Sequence, residues 1–303
     1  MGIEGYKNIG FYKFVQINFP EILKEEFYVF CKKNRILGTL ILSSEGINGM
    51  LAGANTSIDN FIKLMEKFDL KKSDFKVSTS EVKPFNRLRI KVKKEIISLG
   101  FPEISNPNEN VGTYVEPKDW NSLIEQDDVV LIDTRNYYES SIGTFNKAKL
   151  PETKNFKQFP KFINTLDLNK DSKVAMFCTG GIRCEKASSF LLSKGFKEVF
   201  HLKGGIIKYL EEVPEKESKW EGECFVFDNR VAIEHNLVQG TYSICNGCGE
   251  PIKKEDLESP KYEKGVSCTS CFDSLSDEKI KSSKERQKQI ELSKEKGEIH
   301  LGE

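Results

Sequence analysis

Histidine and long apolar runs are what this sequence most lacks. Its 303 residues include 3 His. These are His201, His235 and His300, too widely spaced to suggest the 2-His-1-carboxylate triad of a non-haem iron oxygenase. No G-x-G-x-x-G fingerprint for a flavin or nicotinamide nucleotide occurs, so no redox cofactor or electron donor is named by a motif. No apolar stretch approaches the ~20 residues of a membrane span. The start, Met1 to Phe14, lacks the basic-then-apolar order of a secretory signal. These absences predict a cytoplasmic chain with no membrane partner, and no motif identifies a protein partner. Charge of one sign is missing too: Lys+Arg 46 balances Asp+Glu 46, so any polyanion-binding surface must be local. Hydrophobic residues at 38% and charged residues at 30% suit two or three soluble globular domains.

Eight cysteines could pair into four disulfides. In a chain without a secretory signal, and with four of the eight in CxxC pairs, reduced thiols are the expectation. The most informative of them is Cys178, which opens Cys178-Thr179-Gly180-Gly181-Ile182-Arg183. Lys173–Phe177 before it has the apolar content of a buried central strand. Ala187, Phe190, Leu191 and Leu192 after it mark one helical face, with Gly195 as the stop. A cysteine at such a strand-to-helix turn meets unpaired N–H groups and the positive end of the helix dipole, both of which favour a thiolate. The two glycines let the backbone curl into an anion cradle, and Arg183 adds a fixed positive charge. Such a site works only if the sulfur is ionised and reachable at the mouth of a parallel sheet.

Loop length narrows the chemistry. Four residues separate Cys178 from Arg183, whereas cysteine phosphatases use five around a tetrahedral phosphate. The tighter loop resembles rhodanese-type domains, whose cysteine carries sulfane sulfur as a persulfide. Asp133-Thr-Arg135 resembles that family's Asp-x-Arg brace, with Glu139 close behind, and Lys203-Gly204-Gly205 its glycine pair. Thr144 stands where the family often has histidine after Gly143. Cys184, in the first helical turn, is either packed core or a resolving thiol.

The spacing of apolar residues and turn formers predicts five regions. Residues 1–95 read as a ferredoxin-like or acylphosphatase-like α+β domain: strands over 8–17, 38–42, 49–52, 75–79 and 88–92, and helices over 20–31 and up to 68, the second capped by Thr56 or Ser57. Residues 96–115 read as a linker, with Pro102, Pro107 and several Asn. Residues 116–213 alternate strand and helix (helices over 117–125, 156–166, 184–194 and 205–211, strands over 129–133, 173–177 and 198–202), which implies a parallel α/β sheet with helices on both faces. Residues 214–275 hold two knuckles, Cys245-x-x-Cys248 and Cys268-x-x-Cys271, nineteen residues apart. That is the spacing of a closed four-thiolate Zn²⁺ site stapling a core-poor module. Residues 276–303, with seven acidic and seven basic side chains, read as a frayed or solvated helical tail.

Between Phe61 and Lys94 eleven basic residues face four acidic ones. Interleaved with Phe75 and Phe85, that excess is either a lysine-rich solvated face or a phosphate-backbone surface.

The combination of Ser44-Glu45-Gly46-Ile47-Asn48-Gly49, Cys178-Thr-Gly-Gly-Ile-Arg-Cys-Glu-Lys-Ala187 and Cys224-Phe-Val-Phe-Asp-Asn-Arg-Val231 ahead of the knuckles resembles one bacterial family, the rhodanese-containing tRNA uridine hydroxylases. The resemblance covers nearly the whole chain. It implies conversion of the wobble uridine of tRNA, position 34, to 5-hydroxyuridine with molecular oxygen as co-substrate. It also implies that Cys178 is the essential cysteine, described as a persulfide, and that the anticodon loop is the partner. Candidates for its recognition are then Lys76, Lys83, Arg87, Arg89 and Lys91 on phosphates, with Phe85 stacking on a base. Two other functions compete: plain sulfur transfer through a Cys178 persulfide, and a zinc-stapled RNA-binding protein whose rhodanese-like domain is a relic.

Overall fold

The computed structural model describes residues 5–81, 83–228 and 230–295. His300, Asn229 of the third motif and the end of the expected tail lie outside the described residues. The chain divides into two compact units. One holds residues 5–112 together with 185–197, the other 113–184 together with 198–295.

The first unit begins β1 (Tyr6–Phe14), α1 (Pro20–Lys33), β2 (Leu37–Ser43), β3 (Gly46–Gly53), α2 (Asn55–Met65), β4 (Lys76–Ser80) and β5 (Leu88–Val92). Pro20 starts α1, and Leu23, Phe27 and Cys31 bury one face at four-residue spacing. Lys32 and Lys33 complement the dipole in its last turn. The expected Thr56 or Ser57 cap is corrected: α2 starts after Ala54, which has no side-chain cap bond, and both hydroxyl residues lie inside the first turn. The strands run in the order β4-β1-β3-β2-β5. The first four are antiparallel, the split βαβ arrangement of a ferredoxin-like or acylphosphatase-like sheet. β5 adds in parallel to β2, outside the six-element pattern. Its Leu88, Ile90 and Val92 pack on the core while Arg89 and Lys91 are exposed.

Phe11, Phe27, Leu40, Ile47, Phe61 and Met65 build that core. Phe11 lies opposite Gly49, where a Cβ would come within 2.8 Å of both Phe11 and Leu40. The second glycine of the first motif therefore makes room for an aromatic core residue. Cys31 is packing, its thiol pushed up to about 12 by burial. Residues 96–112 carry no helix or strand, yet they run against this unit. Ile96, Leu99 and Ser105 are buried, and the Glu95 carboxylate accepts the N–H groups of Leu99 and Gly100. In the same unit Lys186, with no exposed surface, pairs with Glu45 and with Glu95 at 3.2 Å. One buried ion cluster thus joins the first two motifs.

The second unit contains β6 (Thr113–Val115), α3 (Pro117–Ile124), β7 (Val129–Asp133), α4 (Tyr137–Ser140), β8 (Gly143–Phe145), α5 (Phe159–Thr165), β9 (Lys173–Phe177), the first turn of α6 (Ile182–Ser193), β10 (Glu198–Leu202) and α7 (Gly205–Glu212). A parallel sheet runs β6-β10-β9-β7. The helix expected over 156–166 divides at Phe159, with a 3₁₀ turn over Phe156–Gln158 before it. Pro160 fits the first turn of the α-helix that follows. β8 pairs with β11 (Trp220–Gly222) in a short antiparallel ribbon. There Phe145 meets Phe177, Tyr209 and Trp220 edge-on at 4.8 to 5.1 Å.

Beyond it come β12 (Cys224–Phe225), β13 (Ala232–Ile233), β14 (Ser243–Ile244), β15 (Pro251–Ile252) and α8 (Asp277–Glu295). The tail is helical over its described part and most of α8 is exposed, but one side of it docks on the knuckles. Arg286 donates to the carbonyls of Asn246 at 2.8 Å and Gly265 at 3.2 Å, and Ser283 is buried. Among the described residues no helix is long and apolar enough to cross a membrane.

Candidate active site

Asp133 ends β7 and Cys178 follows β9, its neighbour, so both lie at the carboxyl edge of the parallel sheet. The loop is held from behind by α7: Ile206 and Ile207 donate their N–H groups to the carbonyls of Cys178 and Thr179, at 2.9 and 3.1 Å. Gly205 makes this approach possible. Its φ is +69°, and a Cβ would lie 2.5 Å from the Cys178 carbonyl oxygen. With those carbonyls occupied, loop N–H groups are free to turn toward the sulfur, and Gly181 donates to Sγ at 3.1 Å.

Burial opposes ionisation of Cys178. The Cys184 thiol donating to it, the Arg183 guanidinium charge and the N–H groups of Cys184 and Gly181 outweigh that, bringing the thiol down to about 5. At neutral pH it is a thiolate. Cys184 pays the opposite way: burial, and its role as donor to a neighbouring thiolate, push its own thiol well above the ordinary value. Its sulfur also lies 3.5 Å from the Thr134 hydroxyl. The expectation of a reachable sulfur is corrected, since Cys178 has no exposed surface in this conformation.

Arg183 is less free than the loop pattern implies. Both terminal nitrogens bind the Glu139 carboxylate, each at 2.6 Å, and Thr179 also donates to Glu139 at 3.3 Å. Glu139 itself is fully buried. Burial works against its charge, but Arg183, Arg135 and the Asn136 N–H hold it ionised, below the usual carboxylate range. Arg135 braces the adjacent turn. It binds Asp133 at 2.6 Å and donates to the carbonyls of Glu139 and Gly143, while Thr144 donates to Asp133 at 3.3 Å. The arrangement can generate a thiolate nucleophile held rigidly between two buried ion pairs.

Cys245, Cys248, Cys268 and Cys271 come together, their sulfurs all within 4.8 Å of one another. Cys248 to Cys268 is 3.8 Å and Cys268 to Cys271 is 3.7 Å. Four thiolates at about 2.3 Å from a tetrahedral ion stand about 3.8 Å apart. The donor set therefore fits a metal ion, and Ile252, Tyr262 and Leu275 pack on the cluster.

Residues 6–96 match the UPF0176 acylphosphatase like domain and residues 116–212 the Rhodanese-like domain. A protein of Agrobacterium fabrum named tRNA uridine(34) hydroxylase is 48% identical over 295 residues, 96% of this chain and 93% of its own length. One of Teredinibacter turnerae with the same name is 50% identical over 294 residues, 96% of this chain and 91% of its own. The chain belongs to the tRNA uridine(34) hydroxylase family.

The basic candidates are only partly brought together. Arg87, Arg89 and Lys91 are exposed on or beside β5. Lys83 and Phe85 are half-buried in the preceding segment. Lys76 lies on β4 at the opposite sheet edge, four strand spacings or about 19 Å away. Glu139 stands out in the sequence as the residue close behind Asp133-x-Arg135 and as the fourth of Asn136-x-x-Glu139, the spacing of a capping box, but neither signal names Arg183 as its partner. His201 is buried against Tyr114, their rings 4.3 Å apart.

Proposed function

We propose that this chain hydroxylates the uridine at position 34 of tRNA to 5-hydroxyuridine, with molecular oxygen as co-substrate and Cys178 as the nucleophile. What carries the reading is 48–50% identity over 96% of the chain with relatives named tRNA uridine(34) hydroxylase, joined to a thiol poised as a thiolate. Attack of the sulfur on C6 of uracil places an electron pair on C5 as an enolate. C5 then bonds to oxygen; loss of the C5 proton and expulsion of the sulfur restore the double bond. An external two-electron donor reduces the second oxygen atom to water. As a persulfide, Cys178 would present an outer sulfur about 2 Å beyond Sγ, which suits a buried thiol.

Arg183 stabilises the anion, held at the correct angle by Glu139, while Asp133 and Arg135 brace the turn beside Thr179, Gly180, Gly181 and Ile182. Cys184 is the donor that keeps Cys178 ionised. It is also the thiol that would resolve a persulfide, its sulfur attacking Cys178 Sγ and releasing hydrogen sulfide. The four knuckle cysteines hold structural Zn²⁺, four thiolates leaving no open position for chemistry. Arg87, Arg89 and Lys91, with Lys83 and Phe85 leading into them, receive the anticodon-loop backbone, and Lys76 contributes at the far edge.

A plain sulfurtransferase needs neither the basic first unit nor a zinc module. Nucleoside mass spectrometry of tRNA from a strain lacking this protein separates the two: loss of 5-hydroxyuridine and its derivatives supports hydroxylation. Loss of thiolated bases instead, with 5-hydroxyuridine intact, would replace it with sulfur transfer.

A further inference from the structure

The segment after β12 belongs to the third motif, and neither the loop chemistry nor the metal site uses it. Phe225 at the end of β12 and Val226 and Val231 beyond it are buried, whereas Phe227 is 53% exposed. Its ring packs edge-on against Phe225 at 5.2 Å, and Phe225 in turn packs against Tyr138 at 5.3 Å. The guanidinium carbon of Arg183 lies 6.0 Å from the Phe227 ring centroid. That guanidinium is fixed, both terminal nitrogens being held by Glu139, and its residue belongs to the Cys178 loop. An apolar ring of this size gains by burial, about 25 cal/mol for each Å² covered. This one is left half open beside the Arg183 guanidinium, while its neighbours Phe225 and Val226 are packed away.

We propose that Phe227 is the stacking platform for the target uracil, receiving the base beside Arg183 as it is turned out of the anticodon loop toward Cys178. Uracil is neutral and planar, with a π-face and no charge for an ion pair to grip. Enzymes that act on a single base unstack it and read it against aromatic side chains. Such stacking is worth about 1–3 kcal/mol per base, while backbone phosphates are left to exposed cations. The edge-on contact with Phe225, itself packed against Tyr138, supports the platform, so it enters the encounter with less rotamer entropy to lose. This rests on the proposed hydroxylation of tRNA and names the residue that presents its substrate base.

The test compares two anticodon stem-loop RNAs, one with uracil at position 34 and one abasic there, binding to full-length chain carrying Cys178→Ser. With Phe227 intact the uracil loop should bind about 5- to 150-fold more tightly than the abasic loop, the range that 1–3 kcal/mol of stacking provides. Adding Phe227→Ala should abolish the difference, and Phe227→Trp should keep it. In the background with Cys178 present, Phe227→Ala should lower kcat/KM for tRNA by a similar factor while the Cys178 titration midpoint stays in place. A base-dependent preference that survives Phe227→Ala unchanged overturns the proposal, as does Phe227→Trp behaving like Phe227→Ala. A wild-type chain that makes no 5-hydroxyuridine overturns the underlying function instead, and is seen before any Phe227 variant is measured.

Discussion

Replacing Cys184 with alanine removes the S–H that donates to the Cys178 sulfur, the first of the effects that overcome burial there. A hydrogen bond to a charged group is worth about 1.5–3 kcal/mol, and one pH unit of midpoint corresponds to about 1.4 kcal/mol. The Cys178 midpoint should therefore rise from about 5 to roughly 6–7. Cys184→Ser keeps a donor and should stay near the wild type. Ultraviolet absorbance of the thiolate, titrated against the same protein carrying Cys178→Ser, reads the midpoint without requiring a reagent to reach a buried sulfur. Stability should follow. Because the folded thiol is more acidic than its ordinary 9.0, the unfolded chain binds more protons between the two values. Wild-type stability, relative to Cys178→Ser, is then fully present above about 9 and declines as pH falls toward about 5, at up to about 1.4 kcal/mol per pH unit. In Cys184→Ala the decline should end one to two pH units higher, at roughly 6–7. A midpoint that does not move when Cys184 becomes alanine refutes the assignment of this donor.

Three further outcomes are expected. Glu139→Gln leaves a buried guanidinium without its carboxylate and should destabilise the chain by about 3–5 kcal/mol in chemical denaturation; a cost below about 1 kcal/mol would mean that the pair is solvated. Metal analysis should find one zinc per chain, and a chelator that strips it should expose the region around α8 to proteolysis; less than about half an equivalent of zinc argues against the four-thiolate site. Arg89→Ala with Lys91→Ala should weaken tRNA binding and reduce the slope of log K against log salt by about 1.4, at roughly 0.7 per contact for single strands. Lys76→Ala, at the other sheet edge, should change the slope less, and an equal change from Lys76 would contradict the geometry.

Much of the fold was legible because its signals are local. Val129–Asp133, Lys173–Phe177 and Glu198–Leu202 are five-residue segments, mostly apolar, between turn formers, and they form the strands expected of them. Cys178 was legible for the same reason: strand, glycines, arginine and helix follow one another without interruption. The knuckles needed only spacing. What escaped depends on distant partners. Glu139 meets Arg183 across 44 residues, and no local pattern says which arginine a carboxylate will face. β8 and β11 are three residues each, too short for periodicity to show. Counting charges between Phe61 and Lys94 could not separate Lys76 from Arg89, because sheet order sets that distance. α8 has the charge pattern of a solvated helix, and its docking rests on Arg286, which finds two carbonyls, and on Lys284, which pairs with Glu263.

The most direct test of the account is 5-hydroxyuridine in tRNA from cells whose only copy of this protein carries Cys178→Ser. The variant differs from the wild type by one atom at a buried position, so it should fold and bind tRNA as before. The account predicts that 5-hydroxyuridine formed by this protein disappears while tRNA affinity is retained. Modification at the wild-type level in that strain would contradict it.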